Sequence, residues 1–188
     1  HLPLAGSTFK KVYYDQLLGR AVSKFIPAED LIVPYTATSL DDAEAIIHSL
    51  KVSENDLRKQ QVNGFYSDVE LGPPGVDNND ELTKKERELS GTKKTGRQEP
   101  VYTVLECHVN LDLEGFEDVD GENQPTGIKL PYIVTVEEGS RKILSIRRNY
   151  APNDLKKNKI QYFVHFKFLP GLGFYGFGLI HMIGGLSR

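Results

Sequence analysis

The stretch VYTVLECHVNLDL, residues 101–113, decides the reading of the fold. Val101, Leu105, Cys107, Val109, Leu111 and Leu113 are apolar, whereas Glu106, His108, Asn110 and Asp112 are polar. Successive side chains of a strand point to opposite faces, so this period of two predicts a half-buried strand. Its odd face is expected on a core and its even face in water.

Similar patterns flank it. Residues 130–136 and 143–150 predict a hairpin turning over Glu138-Gly139-Ser140. Residues 160–168 predict a last strand, with Ile160, Tyr162, Val164, Phe166 and Phe168 on one face. Towards the N-terminus, 8–15 and 21–33 read as two strands joined by Gln16 to Arg20. Pro27 and Pro34 place the second of these at an edge or a strand end.

Two helices are expected. Ser39 reads as an N-cap, with Asp41 and Asp42 favourable to the helix dipole. Leu40, Ala43, Ile46, Ile47 and Leu50 form one apolar face behind it. A second helix starts at Ser53, carries Glu54 and Asp56 in its first turn and stops at Asn63-Gly64. Its apolar face, Leu57 and Val62, is thin, which places it on the surface. Residues 72–100 are polar; Leu82 and Leu89 allow a short helix at 78–90, in what reads as a peripheral excursion or a flexible insert. Strands dominate without alternating regularly with helices, so the expected class is α+β: mostly antiparallel sheet with two or three short surface helices. The chain divides by pattern into 1–71 (strand-strand-helix-helix), 72–100, a sheet at 101–170, and a glycine-aromatic bend with a helix start at 171–188.

The chain has 188 residues, 39% hydrophobic and 26% charged, enough for a single core. Cys107 is the sole cysteine, which excludes an internal disulfide or a multi-cysteine metal site and favours a reducing compartment. No run approaches the roughly 18 apolar residues of a membrane-spanning helix, and no membrane partner is expected. The ends read as those of a segment of a longer chain: His1-Leu2-Pro3-Leu4 shows neither an initiator Met nor a signal-peptide pattern, and the apolar helix start near Leu179 reaches Arg188 without a cap.

The net charge of −3 conceals two opposed blocks. Residues 101–128 hold seven acids (Glu106, Asp112, Glu114, Glu117, Asp118, Asp120, Glu122) and no Lys or Arg; residues 129–188 hold ten bases against Glu137, Glu138 and Asp154. Such blocks suit contact between subunits at least as well as nucleic-acid binding, and equally two solvated surfaces. The basic cluster Arg141, Lys142, Arg147, Arg148, Lys156, Lys157 and Lys159 is a candidate subunit-interface or DNA-facing set. Asp112, Glu114, Glu117, Asp118, Asp120 and Glu122 form the candidate acidic interface.

No catalytic, cofactor or metal residue is assigned. Gly171-x-Gly173-x-x-Gly176 matches the dinucleotide fingerprint, but the bulky Phe174 and Tyr175 stand where a pyrophosphate must approach, and no acid follows at the required distance. The alternative is a tight turn, with Phe174, Tyr175 and Phe177 filling the core. The acidic loop lacks EF-hand order, because Gly121 falls at the fourth position counted from Asp118. His1, His48, His108, His165 and His181 form no HExxH motif and no i,i+4 pair; His108 and His165 are read as lying on polar strand faces. Cys107 and His108 point to opposite faces and cannot act as nucleophile and base.

The phrases KILSIRRNY (142–150), YFVHFKFLPG (162–171) and FYGFGLIHMIGG (174–185) resemble the portal proteins of tailed bacteriophages, of podovirus and prophage type. LPLAGSTFKKVYY (2–14), PAED (27–30) and LECH (105–108) are similar to the same group. The resemblance covers most of the chain outside 72–100. It implies part of the wing of a portal subunit, continued after Arg188 by the long stem helices. It also implies a homo-oligomeric ring, typically dodecameric, at one capsid vertex of the virion, assembled in the host cytoplasm. Its expected partners are other copies of itself, the terminase large subunit, capsid or scaffolding proteins, tail adaptors and passing double-stranded DNA. No enzymatic activity and no cofactor are implied. A nucleic-acid-binding module using the basic segment 141–159 is the alternative, and a nucleotide enzyme built on Gly171–Gly176 is a third possibility.

Overall fold

The computed structural model describes residues 2–15, 19–74 and 100–184. The chain is α+β, with mostly antiparallel sheet and, among the described residues, three short α-helices. In order these elements are α1 (Leu2–Ala5), β1 (Ser7–Asp15), β2 (Arg20–Ile26), β3 (Leu31–Ile32), β4 (Ala45–Ser53), α2 (Glu54–Val62), β5 (Val101–Leu111), β6 (Leu130–Glu137), β7 (Ile143–Arg148), β8 (Phe163–Lys167) and α3 (Leu179–Ile183). A 3-10 turn at Ala28–Asp30 separates β2 from β3. The expected helix at 78–90 and most of the first connection, Gln16 to Leu18, lie outside the described residues.

One sheet has the order β2-β1-β8 and the other β3-β4-β5-β6-β7. In the first, β1 is central, pairing antiparallel with β2 (Phe9 opposite Ile26, Lys11 opposite Lys24) and with β8 (Phe9 opposite His165, Lys11 opposite Phe163). The chain forms two compact units: His1–Ser49, Glu106–Val134 and Ile146–Arg188 make the first, and Leu50–Leu105 and Thr135–Ser145 the second. Each has its own core. The first gathers Phe9, Ile26, Leu31, Ala37, Leu40, Ala43, Ile46, Phe163 and Phe174. The second gathers Leu57, Tyr66, Tyr102, Val104 and Leu144.

The segment 39–53 corrects the expected first helix. Its cap exists: Ser39 Oγ accepts from Asp42 N at 3.3 Å, and the Asp42 carboxylate accepts from Ser39 N at 2.8 Å. This reciprocal arrangement has the form of a capping box. The turn does not propagate, however, and Ala45–Ser53 becomes β4. Ile46 and His48 are buried alternately along it, a period of two that the β-branched pair Ile46-Ile47 favours over helix. Leu40 and Ala43 reach the same core from the turn. The second helix is as read: Ser53 Oγ accepts from Asp56 N at 3.2 Å, and Gly64 follows with φ of +72°. Leu57 is buried and Val62 exposed.

Two strands present the opposite face from the one their patterns predict. In β5 the even positions Tyr102, Val104, Glu106 and His108 are buried and the odd positions are half-buried. In β8, Phe163 faces the core while Val164 and Phe166 are exposed. His108 is thus buried and His165 half-buried, not surface residues on wet faces. Alternation fixes which residues share a face; it does not say which face another sheet covers.

The glycine-aromatic bend packs on the N-terminal segment. A Cβ on Gly176 would overlap the Gly6 carbonyl, and one on Gly178 the Leu4 carbonyl. Phe174 lies in the core, whereas Tyr175 and Phe177 are half exposed, unlike the expected aromatic filling. Gly6 itself has φ of +83° and lies against the Gly176 carbonyl, so it has neither the backbone freedom nor the space for a side chain. Replacing Gly6 with Ala is expected to cost more than about 1 kcal/mol in urea unfolding, because an incompatible φ and an overlap act together.

Candidate functional site

The first unit buries an ionic cluster that its sequence pattern had placed in water. Lys11 on β1 sends Nζ to Glu106 on β5, donating at 2.6 Å to Oε1 and 2.7 Å to Oε2. His108 Nε2 lies 2.6 Å from Glu106 Oε1 and donates to it. His48 on β4 stands nearby, its ring edge-on to Phe163 with centroids 5.8 Å apart. Its Nδ1 is buried and meets no hydrogen-bond partner among the described residues. Phe163 also packs edge-on to His108 at 4.9 Å, and Lys11 lies over the Phe163 and Tyr13 rings. The cluster is therefore a largely buried carboxylate shared by an ammonium and an imidazole, in an aromatic setting.

The electrostatics follow from this geometry. Burial alone pushes the Glu106 carboxyl up, but the His108 hydrogen bond and the Lys11 charge outweigh it and hold it at about 2. Burial, reinforced by the Lys11 charge, lowers His48 to about 4. His165, which shares a 3.0 Å hydrogen bond with Ser7 Oγ, packs tilted against Phe9 and stacks on Phe174, is likewise lowered to about 4 by burial and then by Lys167. The Cys107 thiol is pushed up by burial and by Glu106, away from the reactive thiolate range.

The seven basic candidates are divided between the two units. Arg141 and Lys142 belong to the second unit and the other five to the first. Lys157 pairs with Asp118, Lys159 Nζ donates to the carbonyls of Leu40 (3.4 Å) and Ala43 (3.2 Å), and Lys142 Nζ donates to the Glu70 carbonyl. Arg148 lies over the Phe116 ring. Arg147 and Lys156 are exposed.

Of the acids, Asp118 is held low by Lys157 and by the Thr126 hydroxyl. Asp120 accepts from the backbone of Glu122 and Gln124 and so shapes its own turn. Asp112, Glu114 and Glu122 are exposed and Glu117 half-buried. Lys157–Asp118 is thus a point at which the opposed blocks meet within the chain itself.

At the Gly171–Gly176 turn the Gly176 amide donates to Ser7 Oγ at 2.8 Å, so protein occupies the place a phosphate would take. Among the described residues no group of three His, Cys, Asp or Glu side chains is placed to hold a metal ion. No helix among them is long and apolar enough to cross a membrane. The second unit has an open groove of about 770 Å³ beside α2, where Arg58, Gln61, Glu70 and Tyr102 are among the lining residues.

The sequence did carry a sign of the buried cluster. Tyr102 and Val104 share the even face of β5 with Glu106 and His108, and two large apolar residues on a nominally wet face mark a covered one. Compared with known proteins, the chain matches no family model and no curated protein.

Glu106→Gln would leave the Lys11 ammonium buried without its counter-charge, and should cost about 3–5 kcal/mol in denaturant unfolding at neutral pH. The double variant Lys11→Met with Glu106→Leu should be less destabilised than the single one, because no charge is stranded. A Glu106→Gln protein as stable as the parent would show that the pair contributes nothing.

Proposed function

We propose that the chain is a non-enzymatic structural segment of an assembly subunit, the wing of a phage portal ring. The carrying observation, among the described residues, is a set of exposed apolar side chains on one sheet face. On the outer side of the β2-β1-β8 sheet, Val12, Tyr14, Val164 and Phe166 are 43%, 65%, 43% and 40% exposed. Lys10 shares this face, its ammonium over the Phe166 ring, and exposed apolar side chains gathered beside a polar rim suit a site of protein contact. In the same unit the exposed acids Asp112, Glu114 and Glu122 and the exposed bases Arg147 and Lys156 supply charges of both signs for setting the register of neighbouring copies. The resemblance of its residue phrases to those of portal proteins supports the same reading. On this reading the partners are further copies of the chain in a ring, typically of twelve, with terminase, capsid or scaffolding proteins, tail adaptors and passing DNA as its clients at the virion vertex.

The alternative, a nucleic-acid module at 141–159, is less supported. Lys142, Lys157 and Lys159 are committed within the chain, which leaves fewer cations for phosphate.

Electron microscopy of the full-length gene product tests the first reading: rings with a central hole are expected, and a lone globule under assembly conditions overturns it. Fluorescence anisotropy with a duplex DNA probe tests the second. Weak binding, unchanged by Arg147→Ala with Arg148→Ala, is expected; tight, salt-dependent binding abolished by that pair would favour the nucleic-acid module.

A further inference from the structure

We propose that the contact of β1 with β4 and β5 in the first unit is an acid-released latch, closed while His48 is neutral and opened when its imidazole takes up a proton. The argument begins with what surrounds that ring. His48 is 7% exposed, and its Nδ1 has no partner among the described residues, so a second N–H would have no acceptor there. The groups that act on it electrostatically are Lys11 on β1, Lys24 on β2, and Glu106 and His108 on β5. β3 contributes Leu31, opposite His48 in register, and β8 contributes the Phe163 ring; neither carries charge.

Glu106 is the one carboxylate among those charged neighbours, and its oxygens are already engaged by Lys11 and His108. Lys11 and Lys24 stand directly opposite each other on adjacent strands, so the neighbourhood already holds more positive than negative charge. A proton on His48 adds a further charge of that sign to a dry site without an acceptor. The relief available to the molecule is a local unfolding that frees β1 from Glu106 on β5 and from its pairing with β2 and β8, and so admits water.

The pH window follows from the sign of the shift. An exposed histidine takes its proton near 6.5, whereas His48 in the closed form does so only near 4. The stabilisation from keeping it neutral is therefore complete above 6.5 and is lost as the pH falls towards 4. Glu106 does not release the latch in this range, because its carboxyl remains charged down to about 2. One linked proton shifts the open-to-closed ratio by up to about tenfold per pH unit within the window. His165 is depressed to the same region, so variants must separate the two residues.

Hydrogen exchange by mass spectrometry on the whole chain, from about pH 7.5 down to about pH 4 and corrected for intrinsic rates, reads the opening. Protection of amides in 7–15 and 163–167 should fall by up to about tenfold per pH unit below 6.5, while amides in 54–62 keep theirs. His48→Phe, which retains a ring against Phe163, should keep the latch closed to lower pH, and His165→Phe should still open in the same window with a shallower slope, because His165 is depressed to the same region. The proposal fails if His48→Phe opens with the parent, or if the parent stays closed throughout. Should His48→Phe not fold, the NMR titration of His48 in the parent decides: a midpoint coinciding with the loss of protection is expected, and titration near 6.5 without opening overturns the latch.

Discussion

Lys11 and Glu106 join two sheets of the first unit through a charge that neither sheet could bury alone. Taking an ammonium and a carboxylate out of water costs several kcal/mol per ion, which only close geometry and further hydrogen bonds can offset. Both conditions are met: two contacts under 2.8 Å and a third hydrogen bond from His108. The pair also constrains register. Shifting β1 by one residue would turn Lys11 outward together with Phe9, which is fully buried, and strand a buried carboxylate. The aromatic ring of Phe163 then lies under the lysine and beside both histidines, so apolar and ionic contacts select the same alignment.

The glycine bend depends on the same alignment. β1 begins one residue after Gly6, and the segment before it accepts the close approach of Gly176 and Gly178. Ser7 serves both sides, accepting from the Gly176 amide and bonding to His165 on β8. A motif that resembles a nucleotide fingerprint in one dimension is thus a backbone-to-backbone packing device in three. The glycines are required for the same physical reason in both settings, since each needs a backbone without side chains at close range.

The surface follows a different logic from the core. The acidic and basic blocks, so distinct along the sequence, are partly consumed by internal contacts, as Lys157, Lys159 and Lys142 show. Exposed ion pairs contribute little to stability, so the remaining charges bear more on partner choice and alignment than on folding. The outer face of the β2-β1-β8 sheet is the complementary case, where apolar residues remain in water on a unit that already has a complete core.

Much of the architecture was legible in one dimension. The alternation in 101–111, the hairpin over 138–140, the strand at 7–15 and the capped helix at 54–62 all follow from local chemistry: side-chain period, turn residues and a serine cap. Ser39 and Asp42 were legible as a cap, but whether a capped turn continues as helix depends on what it packs against, and Ile46 and His48 were drawn into a sheet. The cluster around Glu106 was not legible, because polar residues on one face of a strand read as wet unless a partner from distant sequence neutralises them. Lys11 is 95 residues away. The sequence by itself determined the period of each strand and which residues share a face. Only the tertiary structure decided which of those faces is inside, because burial depends on contact with another sheet, and no local pattern encodes that contact.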